Sequence, residues 1–231
     1  QLLRNQRWAE ASKAYRQGIL GVADDHWSWY EIIGIEWLLG NNEAMQAHVD
    51  KMIELFRVDP SAMVLRRAVN RAVYSDHIKY DPKVIDDMVR RFVDGQPGHG
   101  FTPLIHGVVL FRKGDYSAAE EQFAKAEEIG RNSNWVFHGV RQTFQARIAF
   151  RQGNLDKAYQ HLWFISRMFE IHGPSSHDTR LSDFWIDQMA LMLQMAEAGE
   201  EMKQVLDGKD LTPQQRRLGI LSWLAIARRH R

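Results

Sequence analysis

Residues 114–126 read GDYSAAEEQFAKA, residues 153–165 read GNLDKAYQHLWFI, and residues 40–52 read GNNEAMQAHVDKM. Each stretch opens on Gly and passes through a short polar turn. Small or apolar residues then fall five, nine and twelve positions after the Gly. That spacing lines one face of a helix with 3.6 residues per turn. A Gly that ends one helix, followed by an Asn or Asp able to cap the next, is a stop-and-start signal.

The three signals recur at a period. Gly114 and Gly153 are 39 residues apart, and Gly40 and Gly114 are 74 apart, two periods of 37. Asn5 opens a further copy, NQRWAEASKAYRQG, 35 residues before Gly40. Spacing in the thirties, with two helices per period, marks a helical repeat array, because one helix pair cannot bury its apolar face alone. Apolar three- and four-residue spacing predicts helices over 6–20, 26–39, 42–57, 61–75, 82–93, 102–113, 116–130, 134–152, 155–171, 179–197 and 212–229. Residues 198–208 read as a short helix or an irregular link. The breakers between helices are brief, so successive helices are expected to run antiparallel.

These residues resemble the tetratricopeptide repeat. The copy with Gly107 and Leu110 on its first helix, and Tyr116, Ala119, Phe123 and Ala126 on its second, fits best. The next carries Ala146 and Ala149, then Leu155, Ala158, Leu162 and Ile165. Trp8, Ala11, Tyr15 and Gly18 form a second helix without its partner, which reads as the start of a fragment in mid-repeat. Tyr30, Ile33, Gly34 and Trp37 match a first helix, with Gly40 one residue early. The copy over 60–94 is degenerate, its turn lengthened by SDHIKYDP. The resemblance runs over residues 5–171. It implies an all-α, right-handed solenoid of about five helix pairs over 1–174, with 175–231 as a degenerate repeat and C-terminal cap. WAEASKAYRQGI and VLFRKGDYSAAEEQFAKA are also similar to the C-terminal repeat regions of planctomycete serine/threonine kinases and related multidomain proteins. That likeness implies a bacterial signalling protein whose catalytic domain lies outside these residues, which hold no Gly-rich phosphate loop, no H-R-D loop and no D-F-G.

Bulk properties narrow the function. The 231 residues carry a formal net charge of +1, with no global signal for nucleic acid or an anionic membrane. There is no Cys, which excludes disulfides, thiolate catalysis and Cys-ligated zinc, and fits a reducing, cytoplasmic setting. No apolar run approaches the roughly 18–20 residues that span a bilayer.

Candidate chemistry is sparse. His172, His177 and Asp178 lie close in IHGPSSHD, and His138 and His161 precede them, but no H-E-x-x-H spacing occurs. We read them as surface histidines, with no metal, no cofactor and no catalytic residue. The pairs Asp24–Asp25, Asp86–Asp87, Glu120–Glu121 and Glu127–Glu128 read as helix starts or solvated faces. The basic amphipathic end, with Arg216, Arg217, Arg228, Arg229 and Arg231, reads as a cap packing Leu218, Leu221, Leu224 and Ile226 inward.

The resemblance also implies a concave groove lined by the first helix of each pair. It would place Trp27, Tyr30, Trp37, Phe101, Leu104, Phe111 and Phe144 there to bury apolar side chains, with Arg147 and Arg151 pairing an acidic group. Aromatics and Arg dominate binding hot spots. The positions that grip a chaperone tail's carboxylate hold Tyr30, Gly34, Leu104, Val108 and Thr143, and only Arg147 suits a carboxylate. The expectation is a non-catalytic scaffold binding a peptide or helix in that groove. Three alternatives stand beside it: a structural module that dimerises or docks on its own chain, an enzyme on the helical array with convergent polar groups around His138, His161, His172 and His177, and a small-molecule sensor.

Overall fold

A computed structural model of the chain describes residues 7–21, 24–172 and 185–206, together with 212, 213, 215, 216, 218, 219 and 222. Within them the chain is all-helical: α1 (Trp8–Gly18), α2 (His26–Leu39), α3 (Asn42–Phe56), α4 (Ala62–Val73), α5 (Pro82–Gly95), α6 (Phe101–Arg112), α7 (Tyr116–Ile129), α8 (Trp135–Arg151), α9 (Leu155–His172) and α10 (Trp185–Leu206).

Helix starts are written locally. Asp25 accepts from the backbone N–H of Trp27 and Ser28, Asn134 from Phe137, and Asp81 from Lys83 beside Pro82 at the first helical position. Each satisfies donors that the first turn leaves open. Helix ends follow the three marker glycines. Among the described residues, Gly40, Gly114 and Gly153 are the positive-φ glycines, at 70°, 81° and 77°. At each, the next residue's N–H reaches back across the last turn: Asn41 to Glu36 O at 2.9 Å, Asp115 to Leu110 O at 3.0 Å, Asn154 to Ala149 O at 2.8 Å. This six-to-one bond closes the helix only if the residue between is left-handed.

Consecutive helices pack as α2 with α3, α4 with α5, α6 with α7 and α8 with α9. The first members also touch in a row, α2 to α4, α4 to α6 and α6 to α8. One core runs through them, from Ile32 and Ile33 through Phe92 and Phe123 to Phe144 and Ile165.

The last described helix differs from the reading of the sequence. α10 continues without a break to Leu206, through residues expected to be a short helix or link. Gly199 costs a helix about 1 kcal/mol relative to Ala, and the burial of Ala196, Ala198, Met202 and Leu206 around it offsets that. The expected start at 179 falls outside the described residues, as do Leu221, Leu224 and Ile226. Leu218 is buried and Arg216 exposed.

α10 packs against both α8 and α2, the two ends of the row. Gly139 on α8 admits this approach, because a Cβ there would overlap the Leu191 side chain. Glu197 then meets Trp37, and Glu201 meets Arg147, so α10 runs in the same direction as α8. Every residue from 190 to 199 is buried. A helix buried all round is a core element rather than a surface stripe.

The marker glycines make a direct test. Gly40→Ala, Gly114→Ala and Gly153→Ala should each lower the unfolding free energy in urea by about 1 kcal/mol, the cost of a left-handed Cβ. Gly18→Ala, where φ is not positive and nothing lies within 4 Å of an added Cβ, should leave it unchanged or raise it.

Candidate functional site

The residues expected in the groove fall into two groups. Trp37, Phe111, Phe144, Arg147 and Arg151 gather at the C-terminal ends of the first helices. There Phe111 and Phe144 meet edge to face at 5.1 Å, with Arg147 4.8 Å and Arg151 4.5 Å from the Phe111 ring centre. Trp27, Tyr30 and Phe101 gather at the opposite ends, and Leu104 is buried between. Trp37, Tyr30, Leu104, Phe111, Phe144 and Arg147 are all buried, so they present no open surface to a peptide, whereas Trp27 is 39% exposed.

Trp37, Arg147 and Arg151 of the first group meet α10 through polar contacts, whereas Phe111 packs on Tyr116 and Phe144, and Phe144 on Tyr74 and Phe123. Trp37 Nε1 donates to Glu197 Oε1 at 3.1 Å, and Ser75 Oγ donates to the same oxygen at 2.7 Å. The Asp76 backbone N–H reaches Glu197 Oε2 at 3.2 Å. Arg147, only 1% exposed, donates from Nε to Glu201 Oε2 at 2.6 Å and pairs through Nη2 with Asp76. Arg151 binds the other Glu201 oxygen, and Arg112 lies 3.3 Å from Asp76 Oδ1.

Charge and burial oppose one another here. Burial would raise Asp76, but the Arg147 charge and hydrogen bond, with Arg112 behind, hold it below its ordinary 3.8. Glu197 moves the other way: burial raises it above 4.5, and the neighbouring Asp76 carboxylate adds to the shift, against the bonds from Ser75 and the Asp76 N–H.

Ser75, Asp76, Glu197 and Glu201 were not singled out by the reading of the sequence. Two signals pointed to them. SDHIKYDP lengthens the turn after α4, and that extra length carries Ser75 and Asp76 to α10. Glu197 and Glu201 are four residues apart, hence on one helix face.

Among the described residues the histidines do not converge. His161 is bonded to Gln142, and burial, then the charges of Lys157 and Arg141, pushes it down to about 4. His138 packs edge to face on Phe137, while His177 and Asp178 lie outside the described residues. Among the described residues no cluster of three or more His, Asp or Glu could hold a metal ion, and no helix is long and apolar enough to cross a membrane. Asp25 is a helix cap, Asp86 pairs with Lys113, Asp87 with Arg90, Glu120 with Lys157 and Glu127 with Arg141. Compared with known proteins, the chain matches no protein-family model, no curated protein and no solved structure.

Two measurements test the network. Arg147→Ala leaves Glu201 and Asp76 without their shared cation and should cost about 3–5 kcal/mol in urea unfolding, as breaking a buried pair does. Arg151→Ala, at a side chain 32% exposed, should cost less than about 1 kcal/mol. Glu197 sets a pH dependence. Its folded pKa is raised, so its contribution is fully present below 4.5 and is lost as pH rises through the folded value. Thermal midpoints of wild type and Glu197→Gln should therefore converge, or change order in favour of Gln, as pH increases from about 4.5 toward neutrality.

Proposed function

We propose that the chain is a non-catalytic helical scaffold, a right-handed solenoid of tetratricopeptide type, whose concave face receives a helix and whose resident occupant is its own α10. The solenoid reading is supported by the order of packing: four consecutive helix pairs, with their first members touching in a row. The docking reading is carried by one observation. The cations Arg147 and Arg151, on the face expected to bind an acidic ligand, both hold Glu201 of α10. In this reading the groove is satisfied within the chain, and the module's role in a larger signalling protein is to hold its C-terminal segment in place.

A second reading keeps the same groove and gives it an external acidic helix that displaces α10. The rim favours it: Arg151 and Glu201 are 32% and 22% exposed, so a competing carboxylate can enter there first. The continuous burial of 190–199 favours the first reading.

Hydrogen exchange on the full chain separates them. Glu201→Arg should speed amide exchange across 185–206 while α2 to α9 keep their protection. The same variant should then bind a synthetic 185–206 peptide of wild-type sequence that the wild-type chain does not bind. Exchange that rises together across all helices would mean that α10 is an inseparable core layer, and the receptor reading would fail.

A further inference from the structure

Three places on the inner face hold α10, and each suits a different chemistry. One is a notch. Gly139 on α8 carries no side chain, and a Cβ there would run into both methyl carbons of Leu191, which is fully buried. The next is a cradle of donors. Trp37 Nε1, Ser75 Oγ and the Asp76 backbone N–H reach the Glu197 carboxyl at 3.1, 2.7 and 3.2 Å. An indole N–H and a backbone N–H can only donate, so this place takes an acceptor. The last is a pair of cations. Arg147 donates to one Glu201 oxygen at 2.6 Å, and Arg151 donates to the other.

The two glutamates are held differently. The donors bonded to Glu197 are neutral, and His77 Nε2 stands 3.9 Å from it, beyond hydrogen-bond reach. Burial, and then the Asp76 carboxylate, raises Glu197 above 4.5 against the Ser75 bond and the Arg147 charge. Glu201 instead meets two guanidiniums, and such charge-assisted bonds are about twice as strong as neutral ones. The cradle therefore requires an acceptor of this length, ionised or not. The cations require a negative charge.

Spacing joins the three places into one address. At about 100° per residue, Leu191, Glu197 and Glu201 lie within about 120° of the helix circumference. In the whole sequence no other two glutamates stand four apart. No other helix of the chain offers this pattern, and a slip of one turn would leave the cations facing Val205.

We infer that the inner face selects its helix by the pattern Leu-x5-Glu-x3-Glu: Gly139 reads the Leu, Trp37 with Ser75 and the Asp76 N–H reads an acceptor, and Arg147 with Arg151 reads a charge. This rests on the reading of the inner face as a receptor for α10. Any helix that enters in place of α10 must carry the same pattern, with Gln tolerated at its middle position and not at its last.

Hydrogen exchange across 185–206 of the full chain, near neutral pH, tests the selection. Glu201→Gln and Glu197→Leu should each speed it by about tenfold or more, the loss of one charge-assisted or buried bond. Glu197→Gln should change it by less than about threefold, because an acceptor remains. Gly139→Ala should speed it too, and Gly139→Ala with Leu191→Ala should speed it by less than the product of the two single effects, since the smaller residue vacates the space. In each variant α2 to α9 should keep their protection. Glu201→Gln without effect, Glu197→Gln as damaging as Glu197→Leu, or independent effects at 139 and 191 would overturn the selection and leave the receptor reading standing. Acceleration shared by every helix would overturn the receptor reading, and the selection with it.

Discussion

Arg147 is the constraint on which the arrangement of the helices depends. A guanidinium in a nearly dry interior is tolerated only when its charge and donors are met. Asp76 and Glu201 meet them from two directions, one from the turn after α4 and one from α10. Three segments far apart in the chain are therefore held at one point. Glu197 extends the same junction to Trp37 on α2 and to Ser75. Removing any of these partners leaves a buried polar group behind, which apolar packing alone would not do.

The consequence for function lies in what the inner face is free to do. Its aromatic and cationic residues are of the types that bind partners, yet Trp37, Arg147 and Arg151 are engaged by a helix of the same chain. Within α10, Gln194 is buried with neither amide atom hydrogen-bonded. An unmet amide weakens the seating of α10 relative to an all-apolar face. The attachment thus combines deep burial with a polar flaw and an ionic rim.

At the junction with α10, Arg112, Arg147 and Arg151 are matched by Asp76 and Glu201, with the buried Glu197 beside them.

The periodic features were legible in the residues. Gly40, Gly114 and Gly153 announced the helix ends because only a left-handed residue closes the back-bond there, and Asp25 lay in a pair that reads as a helix start or a solvated face. Apolar spacing showed the helices from α2 to α9 almost to the residue, since local hydrogen bonding and one-sided burial both write themselves at short range. The exposure of the inner residues was not legible. Trp37, Phe111 and Phe144 have the same spacing whether a ligand, solvent or a helix of the same chain lies over them. Arg147 was recognisable as a residue suited to a carboxylate, but the identity of that carboxylate was not, because Asp76 is 71 residues away and Glu201 is 54 away. So the sequence by itself determined an all-helical chain with its breaks and caps, through interactions that span a few residues. Only the tertiary structure decided that α10 packs on α2 and α8 and brings its carboxylates to Trp37, Arg147 and Arg151, because burial and charge pairing are settled by which distant segments share one volume.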